Sequence, residues 1–457
     1  MSQLLAGAAR VKLQPPVDIA MMGYGNRVGR STGIHDDLGA QALVIGDGVS
    51  KAAIVSVDVL AIGSRIAANI CSSVAACTDI SRDAIMICAT HTHSGPMFNI
   101  WATPRFDARD AGPGRNLEWE RALPDKIAEA ILAANGRLRP ATIRAASTDF
   151  SLGTNRRLRM PDGATMLAAN YAGVADNKAQ VLGVYDSGGD AIAFVINYPC
   201  HGVVLCEDNL LYSRDWMGFA IGKIESLAKN HRNEPLGIFL NGATGNIDPR
   251  IRGNFVAAEN CGGELGRRAF EALQGSQPIR ASKLIAKRLA VKLKLKDLAP
   301  ALASARDFVA QTELSLNNHS GGDGYQLKRL RDHHARALAM LTNLEALDEA
   351  NRRDRRVDCE GGEMATNLNV IALGALAIVG IPGELFVELG IALRRNSFFA
   401  HTIGAGYCND LIGYIPTREA YAEGGYEVET ARVAAGSGET IVDNALAELA
   451  RIAAAHE

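Results

Sequence analysis

The apolar residues of this chain recur in two patterns. The runs 84–89, 191–198 and 370–379 are short and continuous, as in buried strands, whereas 66–76, 124–134, 217–229 and 257–273 repeat their apolar positions at helical spacing. Residues 385–395 read as an amphipathic helix and 440–455 as a further helix. Strands alternating with helices predict an α/β fold. Within 367–380 the segment Leu373-Gly374-Ala375-Leu376 reads as a hairpin turn, so mixed β-sheets covered by helices are expected, not a wholly parallel sheet.

Residues 298–356 break that alternation. Two charged, Ala- and Leu-rich helical segments flank the polar stretch 317–324, which predicts an inserted helical hairpin. Such a module serves as a solvated scaffold, a lid, or a contact between subunits of a homo-oligomer. No linker and no internal sequence repeat is evident, and the chemistry-bearing residues lie on both sides of the hairpin. Residues 1–457 are therefore expected to fold as a single catalytic domain with the 298–356 hairpin inserted in it.

Composition narrows the class. With 457 residues, 47% hydrophobic and 21% charged, the chain can bury a large core, and its 46 glycines suit an α/β protein rich in turns. A net charge of −2 gives no basic footprint for nucleic acid. The start, Met1-Ser2-Gln3-Leu4-Leu5-Ala6-Gly7, lacks the basic lead and apolar core of a secretory signal, and no apolar stretch is long enough for stable membrane insertion. Eight cysteines without a Cys-x-x-Cys pair fit a reducing compartment. These features together predict a cytoplasmic enzyme with a small-molecule substrate.

Candidate chemistry gathers where apolar runs end. Thr90-His91-Thr92-His93-Ser94-Gly95-Pro96 follows the run 84–89, and strand alternation would put His91 and His93 on one face, as part of a zinc site or as satisfied core histidines. His201 stands at the exit of 191–198 in the same way. His319, His333 and His334 belong to the charged helical stretch, His231 to a polar turn and His456 to the terminus, which leaves His35 and His401 as further candidates. Glu384 ends Ile381-Pro382-Gly383-Glu384 at a strand-to-helix corner, where a carboxylate can also serve the helix N-terminus.

The order of motifs is informative: Met22-Gly23-Tyr24-Gly25, Gly33-Ile34-His35-Asp36, Val55-Ser56-Val57-Asp58, the Thr90 to Pro96 segment, Asn155-Arg156, His201, Ser213-Arg214-Asp215-Trp216-Met217-Gly218, the loop from Asn241 to Pro249, Pro382-Gly383-Glu384 and Gly413-Tyr414-Ile415-Pro416-Thr417-Arg418-Glu419-Ala420-Tyr421. This order resembles the catalytic domain of the neutral/alkaline non-lysosomal ceramidases and their bacterial relatives, over most of residues 5–430. The resemblance implies one Zn2+ held by His91, His201, Glu384 and Tyr414. His93 is expected beside the ligands or on the substrate side, and Asp58, at the end of an apolar strand, as an orienter of one ring. By the same resemblance Arg156 reaches the substrate's carbonyl or a carboxylate, the other reading of 155–159 being a solvated basic turn. Two neutral imidazoles and a carboxylate are in any case a ligand set that leaves catalytic zinc a position open for water.

Two departures matter. The family's catalytic serine lies in Gly-Asp-Val-Ser-Pro, whereas this chain has Gly245-Asn246-Ile247-Asp248-Pro249, so Asp248 is expected to accept a proton from metal-activated water or to bind a cationic group. The family's immunoglobulin-like C-terminal domain also has no counterpart after the helix 440–455. The expected function is a zinc-dependent hydrolase cleaving a carbon–nitrogen (amide) bond of a small or N-acylated substrate. The alternatives are an esterase or lactonase using the same site, a metal-dependent isomerase or lyase on a sugar-like substrate, and a non-catalytic binding homologue.

Overall fold

The structure is a computed structural model that describes residues 3–100, 114–230, 233–280, 283–319 and 324–455. His231 and His456, and residues 320–323 of the polar stretch between the two long helices, lie outside the described residues. Its largest sheet has eight strands in the order Leu236–Asn241, Ala191–Tyr198, Lys178–Asp186, Arg139–Asp149, Leu5–Lys12, Gly39–Gly46, Lys51–Val57, Ile85–Ala89. The two outermost pairs are parallel and the inner ones antiparallel, so the sheet is mixed as expected. A second sheet aligns Ile285–Lys294, Glu363–Leu373, Leu376–Gly380 and His401–Ala405, with only the last pair parallel.

One topology is used three times. Three antiparallel strands are followed by a helix, a fourth strand parallel to the third, and another helix. In the first unit the helices are Ser64–Cys77 and Leu117–Asn135, in the second Asp215–Ala228 and Phe255–Gln274, and in the third Val387–Arg395 and Ser437–Ala454. Sequence showed no repeat because the repetition lives in strand pairing, which many apolar sequences satisfy equally well. Its consequence for function is positional. His201 and Glu384 follow the third strands of units two and three, and His91 follows the fourth strand of unit one, so all three lie beyond the carboxyl ends of paired parallel strands.

Packing brings these ends together. Strands buried on both faces show the continuous apolar runs of the sequence: Ile85–Ala89 and Ala191–Tyr198 are buried at every position. In the second unit, Val181, Phe194 and Ile196 pack against Trp216, Ala220, Ile221 and Leu265 of the helices, while Leu182, Val184 and Val195 point into the opposite core, as period-two alternation requires. Ile371, Ile378 and Ile403 of the second sheet share that opposite core with the large sheet. Bridges Cys88 to Cys408 and Thr92 to Gly202 then join the exits of the three units directly.

Leu373 pairs with Leu376 across Gly374, whose φ of 58° is the left-handed backbone of a two-residue hairpin turn. One helix boundary differs from expectation: the helix expected from residue 124 begins at Leu117, where the Asn116 side chain accepts from Trp119 N, and runs on through Pro124. The inserted module is a pair of helices, Ala299–Asn317 and Gly324–Arg353, packed through Leu298, Ala305 and Leu344. Arg432 anchors its base to Asn351 and Asp354, and Arg356 bridges Asp354 and Asp410. Among the described residues, no helix is long and apolar enough to cross a membrane.

Candidate metal centre

The peptide chain turns sharply as it leaves Ile85–Ala89, and His91 sits in left-handed backbone at φ 62°. A non-glycine residue rarely takes this conformation, and it costs of order 1–3 kcal/mol, so the surrounding structure must hold it there. Strand alternation is therefore not what brings His91 and His93 together; the loop folds their rings edge to face, 4.9 Å apart. His91, His93 and His201 place ring nitrogens within 4.8 Å of one another. Glu384 Oε2 lies 3.8 Å from His91 Nε2 and 3.4 Å from His201 Nε2.

The protonation pattern follows from the outer partners. His91 Nδ1 is 2.8 Å from the Leu60 carbonyl and His201 Nδ1 is 3.0 Å from that of Ile247. A carbonyl oxygen only accepts, so both Nδ1 atoms carry a proton and both Nε2 atoms face inward. Burial lowers the His91 pKa to about 3, with Glu384 opposing the shift, and burial together with His91 and His201 puts His93 well below the ordinary imidazole value. A second proton is thus a poor occupant of the His91 and His93 rings. Burial pushes the Glu384 carboxyl up, but His201, His91 and Arg156 outweigh it and hold the group below the usual carboxylate range. Converging imidazoles and a carboxylate fit a divalent cation, and this N/O donor set suits zinc.

His93 stands closer to this cluster than sequence placed it. Its Nε2 is 3.2 Å from His91 Nε2, and its buried Nδ1 has no hydrogen-bond partner among the described residues. The ring is wedged by Gly23, where a Cβ would lie 2.4 Å from His93 Cγ on backbone with φ +106°. Only glycine fits there. Replacing Gly23 by alanine is expected to cost roughly 1–3 kcal/mol and to displace the His93 ring. A denaturation curve together with the His93 imidazole NMR signals checks both parts; an unmoved ring would show that the contact is dispensable.

Tyr414 and Glu384 are direct partners in the short parallel pair Glu384–Leu385 and Tyr414–Ile415. The Tyr414 hydroxyl accepts a 3.1 Å hydrogen bond from Arg156, which aims the phenol at the guanidinium side of the cluster. Burial and the nearby Glu384 raise its pKa well above that of a free phenol.

Arg156 belongs to the strand Gly153–Arg159 and is buried at the centre of a polar network, not solvated in a turn. It donates to Glu427 at 2.8 Å, Asp248 at 3.0 Å and the Gly245 carbonyl at 2.8 Å, and it approaches His201 Nε2 at 3.4 Å. Glu427 also binds Arg157 at 2.9 Å. Gly245 is required here because a side chain would meet the Glu384 carbonyl at 2.4 Å.

Of the two roles expected for Asp248 the structure shows the binding of cations, and the role expected for Asp58 is corrected. Asp248 is clamped by Arg156 and, at 2.5 Å, by Arg252. Burial raises its pKa, but Arg156, His201 and Arg252 bring it down to about 2, so it is a poor proton acceptor near neutral pH. The cations it binds are the protein's own arginines. Asp58 touches neither ring of the His91/His93 pair; its Oδ2 accepts from Gly39 N and Gln41 Nε2, and the Leu60 carbonyl orients His91 instead.

Neither remaining histidine candidate joins the cluster. His35 stacks on Phe255 at 3.6 Å and contacts Asp36, and His401 opens the last strand of the second sheet. Sequence reasoning missed Glu427 and Tyr407. Glu427 looks like an exposed acidic residue of the short helix Tyr426–Thr430, and only its long-range arginine partners explain its burial.

A buried His/His/Glu cluster with an arginine beside it defines a candidate metallohydrolase centre. The chain belongs to the neutral/alkaline non-lysosomal ceramidase family, whose N-terminal profile matches residues 7–288. It is 24% identical to a neutral ceramidase of Pseudomonas aeruginosa over 90% of this chain and 66% of that protein, and 23% identical to a neutral ceramidase of Mycobacterium tuberculosis over 90% and 71%. It therefore spans about two thirds of the length of the Pseudomonas relative. The crystal structure of the Pseudomonas neutral ceramidase superposes with a TM-score of 0.72 at 20% identity, covering 99% of this chain and 75% of that one. A ceramidase complexed with C2 gives 0.71 at 19%, covering 99% and 76%. These structural likenesses establish the shared fold.

Proposed function

We propose that this protein is a zinc-dependent hydrolase that cleaves the amide bond of a small N-acylated substrate. The observation that carries the reading is the approach of His91 Nε2 and His201 Nε2 to 3.8 and 3.4 Å from Glu384 Oε2, with both Nδ1–H groups already committed to carbonyls. His91, His201 and Glu384 would hold the metal, with Tyr414 and His93 at its margin. Zinc bound there supplies a Lewis acid that polarises the scissile carbonyl and acidifies water.

The chain's own residues account for the rest. Arg156 stays ionised, because Tyr414, Asp248 and Glu427 more than offset the cost of burying it. Its positive charge, held in place by those partners, stabilises negative charge developing on the carbonyl oxygen. His93, neutral in its buried setting and packed on the Tyr24 ring at 5.1 Å, has its one N–H on Nε2, 3.2 Å from His91 Nε2, and would be free to give it to the carbonyl oxygen once His91 holds a metal. Asp248 holds Arg156 in place through a 3.0 Å ion pair, and its lowered pKa makes it a weak base for the proton abstraction that an isomerase or lyase reading would need. Family membership and the ceramidase names of the relatives support an N-acyl amide as the substrate class.

The test is product analysis by mass spectrometry on N-acyl amino acids, N-acyl amino alcohols including ceramide, and matched esters. Amides are expected to gain one water and release a free amine, with turnover lost on chelation and restored by zinc. Faster turnover of the esters would shift the reading to an esterase, and an isomeric product of unchanged mass would contradict it.

A further inference from the structure

Tyr407 follows the fourth strand of the third unit at the same distance as His91 follows that of the first, and its backbone is also left-handed, at φ 53°. Its ring is fully buried and stacks on His91 at 4.0 Å with planes 16° apart. Its hydroxyl lies 2.6 Å from Thr244 Oγ1 and 3.5 Å from Glu384 Oε2, the carboxylate oxygen that faces both His91 and His201. Strain of this kind persists only where surrounding contacts enforce it.

The direction of the hydrogen bonds follows from their ends. Across the 3.5 Å contact the Tyr407 hydroxyl is the donor to Glu384 Oε2, which leaves the Thr244 hydroxyl to donate to Tyr407. The result is a chain from Thr244 to Tyr407 to Glu384, in which each bond polarises the next. Thr244 sits in the loop that also supplies the Gly245 carbonyl to Arg156, and Gly245 N donates to Leu385 O at 2.8 Å. Loop, phenol and carboxylate therefore brace one another.

We infer that Tyr407 is a positioning residue of the proposed metal centre: its ring fixes His91, and its hydroxyl, oriented by Thr244, fixes the metal-facing oxygen of Glu384. The inference rests on the metal reading above. A tyrosine that merely filled the core would serve equally well as phenylalanine, which keeps the ring and the stack and removes only the hydroxyl.

The experiment measures zinc affinity by competition with a chromophoric chelator in wild type, Tyr407→Phe, Thr244→Val and the double variant, with metal-free melting temperatures recorded beside them. Tyr407→Phe is expected to weaken zinc binding by about 10-fold or more, as loss of an outer hydrogen bond to a ligand does. Thr244→Val is expected to weaken it less, and the double variant to match Tyr407→Phe within about two-fold, because both substitutions break one chain. Tyr407→Phe binding zinc as tightly as wild type would overturn the inference, as would losses in the double variant that simply multiply. Wild type that binds no zinc at all would instead bring down the metal reading, and this inference with it.

Discussion

Alanine at His201 is expected to lower kcat/KM for an N-acyl substrate by about 10³-fold or more, the scale of the several kcal/mol that a catalytic metal contributes. His201 is the ring nearest the Glu384 carboxylate, at 3.4 Å, and its orientation is set by the Ile247 carbonyl. Removing it takes away one of three converging donors and leaves Glu384 facing Arg156 without its closer imidazole. His91→Ala should lose activity on the same scale, since the two rings play equivalent parts. Steady-state kinetics on folded variants, verified by circular dichroism, decides the matter. Residual activity within ten-fold of wild type in either variant would mean that the cluster is structural.

The second large effect is expected at Arg156. Replacement by methionine leaves two buried carboxylates short of a partner, and breaking a buried pair in this way costs about 3–5 kcal/mol. Glu427 keeps Arg157 and Asp248 keeps Arg252, so the loss should fall at the lower end of that range. Arg156→Lys separates stability from catalysis. It retains the charge but cannot reach Glu427, Asp248 and the Gly245 carbonyl together, so it should keep most of the stability and still lose roughly 10²–10³-fold in kcat, the scale set by removing one oxyanion donor. Urea denaturation and kinetics on both variants test this. Wild-type turnover by Arg156→Lys would remove Arg156 from the reaction and leave it a purely structural role.

What could be read from sequence was the set of places where apolar runs give way to polar chemistry. His91, His201 and Glu384 each follow such a run, and the turn at Gly374 announces itself by residue type. What could not be read were partners fixed by pairing across the chain. Glu427 binds Arg156 from 271 positions away and Tyr407 binds Thr244 from 163, and no local pattern marks either. Asp58 resembled a ring orienter because it ends a strand, but its carboxylate turns back to Gly39 and Gln41 of the neighbouring strand. By residue type Asp248 suits a proton acceptor or a cation binder, and the choice follows from Arg156, which reaches it only when the strands Gly153–Arg159 and Ile247–Pro249 pair, together with Arg252 four positions on. Local chemistry was therefore legible, while protonation and orientation depended on the fold.

The central claim is that one metal ion organises this site, and elemental analysis of metal-stripped protein titrated with zinc tests it most directly. About one zinc per chain, bound with recovery of amide hydrolysis and absent from both His91→Ala and His201→Ala, is the predicted result. Stripped protein that hydrolyses amides at the full rate without taking up zinc would contradict it.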